Sequence, residues 1–215
     1  MTSHTFYTII AAADWIGIAV FAITGALVAS RKQMDIVGFA FLGTATGIGG
    51  GTIRDLLLGQ TPVFWVQEPL YLVVCIACSM LVFFVAHVPR SRLVLLMWLD
   101  ALGLALFCVL GAEKALAHGP VVAATMGVVT ATMGGMIRDI LGGESPVILR
   151  REIYATAALL GAVTYLTALL VMPREWATLA GFAAAFGLRG LALAKRWSLP
   201  VYKPREARRP EDVGL

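Results

Sequence analysis

Charge is what this sequence has least of. Only 14% of its 215 residues are Asp, Glu, Lys or Arg, against about 25% in a typical soluble domain. Residues 36–53, 69–86, 120–137 and 153–172 contain none. Each run reaches the roughly 18–20 residues that a helix needs to cross the hydrocarbon core of a bilayer. Three further spans, 9–30, 93–112 and 176–194, are interrupted only by Asp14, Asp100 and Arg189. This scarcity excludes an ordinary water-soluble domain and points to lipid as the solvent. The runs are continuously apolar. That excludes a β-barrel, whose segments are about ten residues long and alternate in polarity. The sequence therefore predicts an all-α membrane protein with seven transmembrane helices.

Other absences exclude other chemistry. There are three cysteines. Cys75 and Cys78 sit inside an apolar run without the polar partners or second ligand pair that redox or zinc chemistry needs, and Cys108 reads as a small apolar residue. His4, His87 and His118 are scattered, and no metal-ligand pair shares a face. No nucleophile–base constellation appears, so neither an enzyme nor a cofactor is expected. The glycine-rich stretch is not a nucleotide loop: position six of a Gly-x-Gly-x-x-Gly match is Thr52, and no Gly-Lys-Ser/Thr follows. Met1–Tyr7 carries no Lys or Arg and Asp14 cuts the apolar stretch short, which makes a poor signal peptide.

The net charge of +4 and the pI near 9.2 do not indicate nucleic acid. Lys195, Arg196, Lys203, Arg205, Arg208 and Arg209 cluster in the C-terminal tail, and most other basic residues lie at helix ends. With seven crossings the termini lie on opposite faces. Twelve Lys and Arg then fall on the C-terminal face and two, Lys114 and Arg174, on the other. The positive-inside rule puts the C-terminus in the cytoplasm and the N-terminus outside. The basic tail, 194–215, reads as a topology determinant or as a contact for anionic lipid.

What is present is an internal repeat. Asp14, Gly17, Phe21 and Gly25 match Asp100, Gly103, Phe107 and Gly111 at an offset of 86. Gly43, Thr46, Gly50, Gly51, Ile53, Arg54, Asp55, Gly59, Pro62 and Val63 match Gly127, Thr130, Gly134, Gly135, Ile137, Arg138, Asp139, Gly143, Pro146 and Val147 at an offset of 84. Three helices per repeat is an odd number, so the second copy enters from the opposite face. The expected architecture is one transmembrane domain over 1–193, with inverted repeats at 9–88 and 93–172 and a seventh helix at 176–194. Inverted repeats characterise many transport proteins, whose sites lie near the midplane where broken helices meet.

Each repeat carries a glycine run followed by Arg-Asp: Gly49, Gly50 and Gly51 before Arg54-Asp55, and Gly134 and Gly135 before Arg138-Asp139. Two readings of the glycines stand. Gly43, Gly47 and Gly51 are spaced by four, as close helix packing requires. Gly49 and Gly50 lie off that stripe and suggest breaks in helices 2 and 5, tolerated only where protein or water satisfies the freed backbone. Intramembrane charges are costly and mark pathways. Successive helix residues point about 100° apart, so each Arg is expected to pair across the repeat: Arg54 with Asp139, and Arg138 with Asp55. Asp100 is expected to face the bundle or water. Asp14 reads as a helix-start acid. Thr44, Thr46, Thr130 and Thr132 either offer pore hydroxyls or bond back to their own helices. Arg189 reads as snorkelling to the cytoplasmic interface or as contributing to an inner vestibule.

The doubled Gly-Gly-x-x-Arg-Asp pattern resembles the prokaryotic trimeric intracellular cation channels over about residues 9–193. Gly49 to Asp55 fits in full; the second copy departs, with Met133 at its first glycine position. The resemblance implies a homotrimer with one cation pathway per subunit and permeation by potassium and sodium. It also implies that the glycine bends and Arg-Asp pairs surround the path, and that the protein sits in a prokaryotic plasma membrane. Sequences of this type are also described as glycine transporters, so a small-solute carrier is the second reading.

Overall fold

The structure, a computed structural model, describes residues 3–86 and 91–200. Arg90, His87 and the tail residues Lys203, Arg205, Arg208 and Arg209 lie outside the described residues. Among the described residues there are eight α-helices: α1 Ser3–Arg31, α2 Ile36–Leu57, α3 Phe64–Gln67, α4 Leu70–Val85, α5 Arg92–Lys114, α6 Pro120–Leu141, α7 Ala155–Ala168 and α8 Arg174–Lys195. Single 3₁₀ turns at Leu116–His118 and Val147–Leu149 precede α6 and α7.

Helix starts follow from local chemistry. The Asp35 carboxylate accepts the Gly38 N–H at 2.8 Å to cap α2, and the Ser91 hydroxyl accepts the Val94 N–H at 3.3 Å to cap α5. Pro120 occupies the first turn of α6, where its missing N–H costs nothing. The ends of α2 and α6 are copies of one another. Gly59 and Gly143 take φ of +68° and +64°. The next residues, Gln60 and Glu144, donate 2.8 Å bonds back to the carbonyls of Asp55 and Asp139. This is the glycine-terminated Schellman turn, and it makes the chain double back beneath each Arg-Asp pair.

Five helices, α5 and α8 among them, are long and apolar enough to span a bilayer, and α4 and α7 are shorter apolar helices. Large apolar side chains such as Phe84, Val121 and Leu170 face outward. That is an unstable surface in water and an ordinary one in lipid. Helices α1, α2 and α4 pack mutually, as do α5, α6 and α7. The two trios meet where α1 touches α5 and α2 touches α6, and α8 lies on α5 and α7.

The α1–α5 contact explains the first block of repeated residues. A Cβ on Gly17 would lie 2.8 Å from the Phe107 ring, and one on Gly103 would lie 2.2 Å from the Phe21 ring. Each phenylalanine thus fills the gap left by the other helix's glycine, and the two rings meet edge to face at 5.1 Å.

The expected breaks in helices 2 and 5 are corrected here: α2 and α6 run without interruption through both glycine runs. The glycines off the packing stripe serve a second contact instead. A Cβ on Gly50 would stand 2.3 Å from the Thr130 carbonyl oxygen, and one on Gly134 would stand 2.5 Å from the Thr46 carbonyl oxygen. The backbones of α2 and α6 touch at this crossing, which any side chain would prevent. Gly43 and Gly47 face α1 and α4, Gly49 faces Ile137, and Gly51 faces the ring of Phe64. α2 is therefore packed closely on several sides, so a single small-residue stripe does not account for its glycines.

Candidate functional site

Two charged clusters stand at the ends of α2 and α6. At the end of α6, Arg138 is fully buried. Its Nε donates to Asp139 Oδ1 at 2.9 Å. Its Nη1 donates to Asp100 Oδ1 at 2.6 Å and to the Thr24 hydroxyl at 3.1 Å. The Tyr154 hydroxyl donates to Asp100 Oδ1 at 3.5 Å. Asp139 Oδ2 accepts the Val147 N–H at 2.9 Å, which ties down the loop that has turned back at Gly143. A cavity of about 150 Å³ reaches this cluster, with Glu144, Glu152 and Arg189 also on its wall.

At the end of α2, Arg54 donates to Asp55 Oδ1 from Nε at 2.9 Å and from Nη2 at 2.6 Å. Asp55 Oδ2 accepts the Phe64 N–H at 2.9 Å, as Asp139 does with Val147. The Phe64 ring lies below both the Arg54 guanidinium, at 5.9 Å, and the Lys114 ammonium, at 5.7 Å. Asp14 accepts from the Tyr71 hydroxyl at 3.1 Å and from Lys114 at 3.3 Å. A cavity of about 350 Å³ opens here, lined by Arg54, Asp55, Glu68, Tyr71 and Lys114 among others.

The cross-repeat pairing is corrected: each arginine is bonded to the aspartate next to it in sequence. The 100° offset between neighbours constrains Cβ directions, but the four-bond arginine side chain curls across it. Asp55 and Asp139 are then shared by an arginine on one oxygen and a loop N–H on the other. A double-mutant cycle should read this directly. Arg54 and Asp55 are expected to couple by about 1–3 kcal/mol, while Arg54 and Asp139 should be additive to within about 0.5 kcal/mol. Unfolding of the three single and two double variants in detergent, beside the unaltered protein, measures both. A coupling between Arg54 and Asp139 as large as that between neighbours would contradict the geometry.

The remaining sequence candidates are placed as follows. Asp100 is buried in the α6 cluster. Asp14 lies well inside α1 and is also buried, so it is not a helix-start acid. Gly135 faces the Tyr154 hydroxyl, Asp100 and Arg138. The hydroxyls of Thr46 and Thr130 donate to the carbonyls of Leu42 and Met126 in their own helices, each at 2.6 Å. Arg189 does not snorkel outward; it is 2% exposed and bonded to Glu152.

Several members of the clusters carried no warning in the sequence reading: Phe64, Tyr71, Lys114, Glu144, Glu152 and Tyr154. A signal existed for some. Glu68 and Glu152 stand 84 apart, in register with the repeat, and Tyr71 and Tyr154 stand 83 apart, one residue off it. The clusters also differ where the repeat is broken. Lys114 lines one cavity where the other has Val28, and Gln60 lines it where the other has Glu144. Arg138 therefore holds the buried aspartate of its repeat directly. Arg54 leaves the equivalent Asp14 to Lys114 and Tyr71.

Known proteins are similar to this chain in sequence and in fold. A family model described as glycine transporter matches residues 11–87 and 97–169. The inner membrane protein YadS of Escherichia coli K12 is 44% identical over 197 residues, which is 88% of this chain and 94% of the relative. The trimeric intracellular cation channel orthologue from Rhodobacter sphaeroides superposes with a TM-score of 0.86 at 58% identity, covering 88% of this chain and 100% of that one. A prokaryotic TRIC channel solved in 0.5 M KCl superposes with a TM-score of 0.84 at 34% identity, covering 90% and 100%. With two helix trios, a doubled Arg-Asp cluster and likeness of this extent, the chain belongs to the family of trimeric intracellular cation channels.

Proposed function

We propose that this protein is a potassium-permeable monovalent cation channel that also admits sodium, a homotrimer with one ion pathway in each subunit. The observation that carries the reading is the pair of charged cavities ending at Arg54-Asp55 and Arg138-Asp139, with the α2–α6 crossing between them. Their likeness supports inverted repeats at 9–88 and 93–172. The two segments matched by the family model fall one on each repeat. Seven crossings follow when α3, a single turn, is left aside. The chain then sits in the plasma membrane with its N-terminus outside and its basic tail in the cytoplasm, as the positive-inside count requires.

The chemistry suits passive cation flow. Both cavities are lined by charges of both signs: Asp55 and Glu68 with Arg54 and Lys114 in one, and Asp100, Asp139, Glu144 and Glu152 with Arg138, Arg150 and Arg189 in the other. The arginines remain charged and stand at the inner ends of the cavities. A cation passes when a guanidinium shifts aside or when α2 and α6 part at Gly50 and Gly134. Gly49, Gly51 and Gly135 keep the neighbouring wall free of bulk. Thr46 and Thr130 present backbone carbonyls at the crossing.

Purified protein in planar bilayers is expected to give discrete potassium currents. The carrier reading, which rests on the description of the family model, predicts instead a flat trace and saturable glycine uptake into liposomes. That result would overturn the channel.

A further inference from the structure

A groove of about 340 Å³ runs between α1, α5 and α8, apart from both charged cavities. Its walls are apolar, with Ala13 of α1, Leu106 and Val109 of α5, and Leu179 and Phe182 of α8 among them. One charge stands on it. Glu175, in the first turn of α8, forms part of the wall. Its carboxylate has no ion-pair or hydrogen-bond partner among the described residues. An acid in the first turn suits the helix dipole. That explains a carboxylate at the start of α8, but not one that borders an apolar groove.

The surroundings place Glu175 at the edge of the hydrocarbon. Trp176 beside it is 63% exposed, and Arg174 before it reaches Glu113 at 3.1 Å. An exposed tryptophan at the end of an apolar helix marks the headgroup level of a bilayer. The groove therefore starts at the polar interface and continues between apolar helices. The chain does not supply the missing cation. Arg54, Lys114 and Arg174 stand at this end of the described helices, and each is bonded to an acid of its own, Asp55, Asp14 and Glu113. A second copy of the chain in the same membrane brings the same three paired residues to this face. An inorganic cation gains nothing from the apolar wall. The partner that fits carries both a cationic head and a hydrocarbon chain.

We infer that the groove between α1, α5 and α8 binds a phospholipid with a primary ammonium head, such as phosphatidylethanolamine, with an acyl chain along the apolar wall and the ammonium on Glu175. The inference rests on α8 crossing the membrane and not on conduction. A lipid tail meets the same apolar surroundings in the bilayer as in the groove, so the tail gives fit and the head gives selectivity. A primary ammonium donates hydrogen bonds to a carboxylate, and the charge on both partners strengthens them. The choline head has methyl groups in place of those N–H groups and makes no such bond. The phosphate also has a donor, because α8 begins without a side-chain cap and its first N–H groups are free to bond an anion.

Native mass spectrometry of the full chain in detergent tests this, with phosphatidylethanolamine and phosphatidylcholine of the same acyl chains added in equal amounts. The unaltered protein is expected to retain phosphatidylethanolamine about fivefold over phosphatidylcholine, the worth of one partly exposed ion pair. Glu175→Gln removes the charge and keeps the shape, so the ratio should fall close to one with phosphatidylcholine retention unchanged. Leu179→Trp, at a position 53% exposed, fills the groove and should abolish the preference without touching Glu175. A ratio that stays the same in either variant overturns the site. The same spectra count the copies in each assembly. If Leu179→Trp lowers that count while phosphatidylethanolamine retention is unchanged, a second copy covers the groove and the lipid assignment fails. No current is measured, so a protein that conducts nothing passes or fails this test on its own terms.

Discussion

Replacement of Arg138 by methionine is expected to destabilise the protein by about 3–5 kcal/mol, the range for removing one partner of a buried ion pair. The size follows from what is left behind. Arg138 is the shared partner of Asp100 and Asp139, and all three are almost completely buried. Without the guanidinium, two buried carboxylates lose the cation they share. Tyr154 and the Val147 N–H supply only neutral donors. Methionine fills the space, so the loss is electrostatic and not a cavity. Arg54→Met should cost at least about 1 kcal/mol less. Only Asp55 depends on Arg54, and the wider cavity beside it holds Lys114. Arg138→Lys should fall between, because an ammonium lacks the planar fork that reaches two carboxylates at once. Unfolding in detergent ranks the three. Equal losses at Arg54 and Arg138 would mean that the bond to Asp100 adds nothing.

The second large effect is expected at the helix crossing. Gly50→Ala places a methyl 2.3 Å from the Thr130 carbonyl oxygen, and Gly134→Ala places one 2.5 Å from that of Thr46. Carbon and oxygen rest at about 3.3 Å or more. The obstacle in each case is backbone, which has no rotamer to change. α2 and α6 must separate by roughly 1 Å, and overpacking of this kind costs about 1–3 kcal/mol. The two substitutions together should cost less than their sum, since one separation serves both. Gly187→Ala is the control. Nothing lies within 4 Å of a Cβ there, so it should be neutral or gain up to about 1 kcal/mol from helix propensity. If Gly50→Ala melts like Gly187→Ala, the crossing is not the tight contact described. Currents through the two alanine variants at the crossing should also differ from those of the unaltered channel, because the parted helices border both cavities.

The helices were legible before the structure because the solvent writes itself into composition. Lipid makes charge rare over the length of an apolar helix, and the apolar runs end within a few residues of α4, α5, α7 and α8. The repeat was legible for a related reason: residues such as Phe21 and Phe107 face each other's glycines, so each copy had to keep both. α3 was missed because a single turn leaves no periodic signal. Its Phe64 N–H is nonetheless what holds Asp55.

The sequence by itself determined the apolar helices, the repeated residue pattern and the presence of two Arg-Asp pairs, Arg54-Asp55 and Arg138-Asp139. These are properties of neighbouring residues or of one pattern repeated. Only the tertiary structure decided who pairs with whom. Each arginine folds onto its own aspartate because the Schellman turn brings a loop N–H to the carboxylate's other oxygen. Arg138 reaches Asp100 while Arg54 leaves Asp14 to Lys114, because Lys114 has only Val28 as its counterpart in the other cavity. The glycines let two unbroken helices touch. Those choices depend on groups up to a hundred residues apart, and proximity at that range is set by packing, which no local pattern records.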